Sequence, residues 1–133
     1  MREIKFRGKR LDNGEWLYGS LVILNGRYFI FDDANRHEVD PATVGEFTGL
    51  KDRNGKEVYE GDIIRFSNPY LIISQGKQSF GMVKYYDALA GFALYNSSED
   101  KFPMECDWLK IDGSTKVFGN IHDNPELLKG GEQ

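Results

Sequence analysis

The dipeptide Asn-Gly occurs three times in this chain of 133 residues, at Asn13-Gly14, Asn25-Gly26 and Asn54-Gly55. It is the preferred pair for a two-residue type I′ hairpin, because both central residues need positive φ and the twist of that turn matches the twist of the flanking strands. Each pair stands between apolar or aromatic runs. The first predicts a join between residues 4–11 and 16–24, the second between that strand and residues 28–31, and the third between residues 47–50 and 58–59. Asp112-Gly113 supplies a fourth signal, between residues 108–111 and 117–121. Ala90-Gly91 supplies a fifth, closing residues 82–86 onto 92–95. Turn signals at such short intervals read as an antiparallel sheet or barrel.

Alternation within the runs agrees. Ile4 and Phe6 share one strand face, with Glu3, Lys5 and Arg7 on the other, and Val83 and Tyr85 oppose Met82, Lys84 and Tyr86 in the same way. Aromatics make up 14% of the chain, and they suit a pleated, half-buried surface. No segment carries a long helical period. Two short helical turns are expected instead, at Asp40-Pro41-Ala42-Thr43-Val44-Gly45 and at Asn124-Pro125-Glu126-Leu127-Leu128 with Gly130 ending it. Each opens with an N-cap residue followed by proline at the first helical position. The length suits one compact domain, or two small lobes covering residues 1–50 and 51–128. Residues 67–78 are polar at both ends and apolar at Tyr70, Leu71, Ile72 and Ile73, which reads either as an extra strand or as an exposed apolar loop.

Composition narrows the classes of function. Seventeen basic residues stand against twenty-one acidic ones, a net charge of −4. That disfavours non-specific nucleic-acid binding, which depends on neutralising phosphates with a basic surface. A single cysteine, Cys106, allows no internal disulfide and no cysteine zinc cage. The opening residues carry no secretory h-region and no apolar stretch reaches membrane-spanning length, so a cytoplasmic protein without a membrane partner is expected.

Residues 43–64 read TVGEFTGLKDRNGKEVYEGDII. With the opening REIKFRGKRLDNGEWLYG and the ending VFGNIHDNPELL, three long blocks in order, the chain resembles the YopX family of phage and prophage proteins. The resemblance spans nearly the whole sequence and is weakest between Ser67 and Ser79. It implies a predominantly β fold and a phage or prophage setting, and it carries over no catalytic or ligand-binding residue. Glu60-Gly61-Asp62 leads into Ile63-Ile64-Arg65-Phe66 as a strand enters a small Greek-key or SH3-like barrel. Gly61 permits a sharp bend there, and Asp62 can accept hydrogen bonds from the turn's own backbone. A barrel of this kind is therefore expected in the C-terminal half.

The candidates for chemistry each have a plainer reading. Glu57, Glu60 and Asp62 could act as acid and base or hold a cation, but Lys51, Arg53, Lys56 and Arg65 flank them, and charges on a hairpin normally face water. His37 and His122 are the only histidines and show no metal-ligand spacing. Glu105 and Asp107 beside Cys106 would raise its pKa, the wrong direction for a nucleophile. Arg2, Lys5, Arg7, Lys9 and Arg10 concentrate cations at the N-terminus against Glu3 alone. With Trp16 and Tyr18 on the next strand, Lys5, Arg7 and Lys9 are the candidate nucleic-acid contacts, although cations also protect an ordinary edge strand from aggregation. The edge reading is preferred for so acidic a chain.

The expectation is thus a mainly β, non-enzymatic binding module without cofactor or metal. It acts through a protein partner or as a homo-oligomer, with Tyr70, Leu71, Ile72 and Ile73 as candidate interface residues. The alternative is a nucleic-acid-binding small barrel that uses the basic N-terminal strand.

Overall fold

The computed structural model describes residues 3–33, 35–66, 79–95 and 115–127. These residues are mostly antiparallel strands, as the turn signals predict. Their helical backbone is limited to 3-10 turns at Pro41–Thr43 and Asp87–Leu89 and a helical step at Glu126-Leu127. Among the described residues no helix is long and apolar enough to cross a membrane. The chain divides into two compact units, Met1–Gly49 and Leu50–Gln133.

The first unit contains β1 (Phe6–Lys9), β2 (Trp16–Leu24), β3 (Arg27–Asp32), β4 (Asn35–Val39) and most of β5 (Gly45–Lys51). They hydrogen-bond in the order β4-β3-β2-β1-β5, and β6 (Glu57–Tyr59) follows β5. Strand β2 is long enough to serve two partners. Its first half pairs with β1, from Phe6↔Gly19 to Lys9↔Trp16, and its second half with β3, from Ser20↔Phe31 to Leu24↔Arg27. The inward face carries Ile30 and Val39, both fully buried, and Gly8, whose missing side chain leaves room for Val39. The sheet curls enough that the end of β4 meets the chain just after β1. A bridge joins Arg10 and Val39, and the Leu11 and Asp40 amides donate to the carbonyls of Glu38 and Lys9 at 3.1 and 2.8 Å.

The first expected helical turn forms at that junction. Asp40 Oδ1 accepts from the Ala42 amide at 3.0 Å, and Pro41 occupies a position where its missing N–H costs nothing. The Thr43 hydroxyl accepts from the Lys9 amide at 2.9 Å and donates to the Asp40 carbonyl at 2.7 Å, so the cap also fastens β1.

The three Asn-Gly pairs do not share one turn type. Only Asn25-Gly26 has two positive φ angles, 51° and 77°, the I′ pattern. At the other two pairs positive φ falls on Gly14 (75°) and Gly55 (81°) alone. The loops there are longer: Arg10 closes on Glu15, and Asp52 closes on Lys56. A type I turn followed by one left-handed residue suits that length. Ala90 is the left-handed residue between the strands Ser79–Tyr86 and Gly91–Tyr95, at φ 51°. Asp112-Gly113 lies outside the described residues.

The second unit places β7 (Asp62–Phe66), β8 (Ser79–Tyr86), β9 (Gly91–Tyr95) and β10 (Lys116–Asn120) in the order β10-β7-β8-β9. This is the Greek-key arrangement of four strands, the last lying beside the first. The expected closed barrel is absent among the described residues. Closure would need the end strands β9 and β10 to pair, and among the described residues β10 pairs with β7 alone, from Lys116↔Arg65 to Asn120↔Asp62. Val58, Ile64, Val83, Phe92 and Val117 form the core of the unit, with Leu94 against it.

Candidate functional site

Strand β1 lies between β2 and β5, so its cations are not edge guards. That expectation is corrected: β5 returns to pair with β1 at Phe6↔Glu46 and Arg7↔Gly45, a long-range pairing that no local signal specifies. The cations lie over aromatic rings instead. Arg7 stacks 4.6 Å from the Trp16 ring centroid, Lys9 stands 5.4 Å from the same ring, and Lys5 lies 5.3 Å from Phe47 and 3.6 Å from Glu3. Arg7 is only 4% exposed. It cannot reach a phosphate without opening the sheet, so the structure does not bring Lys5, Arg7 and Lys9 together as an accessible nucleic-acid track. Replacing Arg7 by glutamate should instead lower folding stability by about 2–3 kcal/mol, because a carboxylate would be buried against a ring face that repels it. An unchanged urea midpoint would disprove this structural role.

The carboxylate run is also structural in part. Asp62 is 1% exposed, against the solvated reading. Its Oδ2 accepts from the Tyr59 amide at 2.8 Å, and Gly61 bends the chain at φ 96°, the turn chemistry expected of this pair. Glu57 accepts from the Tyr59 hydroxyl at 2.9 Å. Among the described residues no three of His, Cys, Asp and Glu are grouped to hold a metal. His37 sits on β4, paired across to Ile30, and His122 is an exposed turn residue whose amide donates to Asn120 Oδ1 at 3.0 Å. Cys106, and the interface candidates Tyr70, Leu71, Ile72 and Ile73, lie outside the described residues.

The accessible feature of the first unit is the outer face of β2, β3 and β4. Side-chain alternation from the observed register puts Tyr18, Ser20, Val22 and Leu24 on this face with Arg27, Phe29 and Phe31 of β3 and Arg36 and Glu38 of β4. Phe29 is buried there because two guanidinium groups cover its ring, Arg27 at 5.3 Å and Arg36 at 5.4 Å from the centroid. Arg27 is held by Glu38 through Nε at 3.2 Å and a terminal nitrogen at 2.6 Å. That pair raises the Arg27 pKa and lowers the Glu38 pKa, first through the side-chain hydrogen bonds.

Two rings on this face stay in water. Tyr18 is 46% and Phe31 36% exposed. Because Ser20 pairs with Phe31, Tyr18 stands diagonal to Phe31 on the neighbouring strand, a separation of roughly 7–8 Å that long side chains span. Small Ser20 leaves the ground between them open. Sequence reasoning missed this pair, yet the signal was present. A two-residue turn at Asn25-Gly26 fixes Leu24 opposite Arg27, and counting four residues back and forward sets Ser20 opposite Phe31.

The model of the YopX protein family matches residues 5–129. The crystal structure of protein EF1440 from Enterococcus faecalis is similar over 96% of this chain and 99% of that one, with a TM-score of 0.54 and 22% identity, a likeness of fold. No curated protein matches the chain.

Proposed function

The chain belongs to the YopX protein family, and from the geometry of its first unit we propose that it is a non-enzymatic binding module acting through protein contacts on the outer face of β2 and β3. One observation carries the reading. Of the large apolar side chains exposed among the described residues, Ile4, Leu11, Tyr18, Ile23, Leu24 and Phe31 belong to the first unit, against Leu50 and Tyr85 in the second. Tyr18, Leu24 and Phe31 share one face. A clustered apolar face beside polar neighbours is the usual mark of a contact surface. The non-enzymatic part is supported by what the carboxylates do: Asp52, Glu57 and Asp62 all accept hydrogen bonds that hold the fold. Service to a phage or prophage is part of this proposal, and the resemblance of the three sequence blocks supports it.

The full chain and a Tyr18→Ser/Phe31→Ser double variant should be used as baits in infected or prophage-induced cells, with and without nuclease. The expected result is a captured protein that survives nuclease and is lost with the double variant. Both positions are exposed, so the variant should keep its melt within about 0.5 kcal/mol per site. Capture that disappears with nuclease would favour nucleic acid, and capture that ignores the substitutions would place the contact elsewhere.

A further inference from the structure

Independently of the binding-module reading, we infer that Asn25 is the residue of the three Asn-Gly pairs that deamidates in the folded protein, and that its isoaspartate product unfastens the β2–β3 turn. The reaction needs only water. The Gly26 amide gives its proton to hydroxide, and its nitrogen bonds to Asn25 Cγ. The bond from Cγ to Nδ2 breaks, and the leaving nitrogen takes a proton from water, which frees ammonia and regenerates hydroxide. Water then adds to either carbonyl of the cyclic imide. Opening at Cγ gives aspartate. Opening at the main-chain carbonyl gives isoaspartate, whose main chain runs through Cγ. Water is consumed and ammonia released, with no change in oxidation state. Glycine favours the step because no Cβ crowds its nitrogen and its backbone bends freely.

Exposure does not separate the three pairs, since all of their residues face water. Hydrogen bonding does. The Gly14 amide donates to the Arg10 carbonyl at 2.9 Å, and Asn13 Oδ1 accepts from the Glu15 amide at 2.9 Å, so nucleophile and target are both held. The Gly55 amide donates to the Asp52 carbonyl at 2.9 Å, and the Asn54 amide donates to Asp52 Oδ1 at 2.8 Å. Asp52 is itself anchored by the Val117 amide. At Asn25-Gly26, among the described residues, neither the Gly26 amide nor the Asn25 side chain makes a hydrogen bond. The turn type explains the difference. A two-residue I′ turn closes through its flanking pair, here Leu24↔Arg27, and leaves the amide between its central residues to solvent. Asn25 starts left-handed, at φ 51°, and must rotate about ψ before Cγ faces the Gly26 nitrogen. The Leu24↔Arg27 pair resists that rotation, but it stands at the end of its ladder, where strands open first. Isoaspartate then adds a main-chain carbon between Leu24 and Arg27, and a turn of that length no longer holds their register.

The test incubates the full chain at mildly alkaline pH, folded and in parallel unfolded in guanidinium chloride. Fragment-ion mass spectrometry follows the conversion of amide to acid at each asparagine. The unfolded chain should convert the three pairs at similar rates, and folding should slow Asn13 and Asn54 severalfold more than Asn25. Isoaspartate, labelled by an isoaspartyl methyltransferase with S-adenosylmethionine, should accumulate at residue 25. Hydrogen exchange at the Leu24↔Arg27 pair should quicken in the aged protein and stay slow in Asn25→Asp, which has the new charge without the added carbon. Equal protection of the three pairs, or faster conversion at Asn13 or Asn54, would overturn the assignment. So would a folded chain in which Asn25 does not convert, since the left-handed turn would then be holding its side chain off Gly26. Unchanged exchange in protein that carries isoaspartate would overturn the claim that the turn is unfastened.

Discussion

Gly19→Ala is expected to destabilise the protein by about 3 kcal/mol or more, a large loss for the addition of one methyl group. Gly19 sits where β2 passes from β1 to β3, paired with Phe6 and next to the Ser20↔Phe31 pair. A Cβ at this position would fall inside the carbonyl oxygen of Phe31 and press on the Ile30 side chain. The obstacle is backbone, so no change of rotamer relieves it and the β2–β3 ladder must part. Gly8→Ala is the natural comparison. Its Cβ would stand 3.0 Å from Val39 Cγ2, a side chain that can give by a few tenths of an ångström, and a loss nearer 1 kcal/mol is expected. Thermal melts followed by circular dichroism should rank Gly19→Ala well below Gly8→Ala. Equal melts would mean that β2 does not approach β3 so closely.

Asp52→Ala should lower the melting temperature by about 10 °C, corresponding to about 3 kcal/mol. Asp52 is 6% exposed and both of its oxygens are used. Oδ1 accepts from the Asn54 and Lys56 amides at 2.8 and 2.9 Å, which shapes the Asn54-Gly55 turn. Oδ2 accepts from the buried Val117 amide at 3.0 Å, 65 residues away, and the Arg53 amide donates to the Thr115 carbonyl beside it. Removing the carboxylate leaves the Val117 N–H buried without its acceptor and frees the turn. Asn at this position would present an NH2 donor to one of those amides, so Asp52→Asn should recover only part of the loss.

The pH dependence provides a second check. Burial opposes the charge on Asp52, but the amides of Val117, Lys56 and Asn54 and the charge of Lys56 outweigh it, and the pKa is held below the usual carboxylate value. A depressed folded-state pKa contributes stability that is present above the unfolded value, about 3.9, and is lost as pH falls through the folded one. The gap in melting temperature between wild type and Asp52→Ala should therefore be full at neutral pH and shrink below about pH 4. A gap that does not change with pH would show that the charge on Asp52 contributes nothing.

What the sequence determined by itself was local. The Asn25-Gly26 turn, the proline turn capped by Asp40 and the bend at Gly61 with its Asp62 acceptor are each fixed by the φ preferences and donors of a few adjacent residues, and each stands where the sequence reading put it. With the Asn25-Gly26 turn fixed, the diagonal placement of Tyr18 and Phe31 was already written in the spacing of β2 and β3. The tertiary structure decided everything that depends on chain closure. No neighbour of Arg7 in sequence reveals that β5 will pair on the far side of β1, yet that pairing turns a supposed edge cation into a buried one stacked on Trp16. No neighbour of Asp52 reveals that Val117 will bring its amide to the second oxygen. Such pairings are chosen by the summed burial and hydrogen bonding of strands far apart in sequence. A short window of residues therefore specifies its turn and its pleat, but not which strand comes to lie beside it.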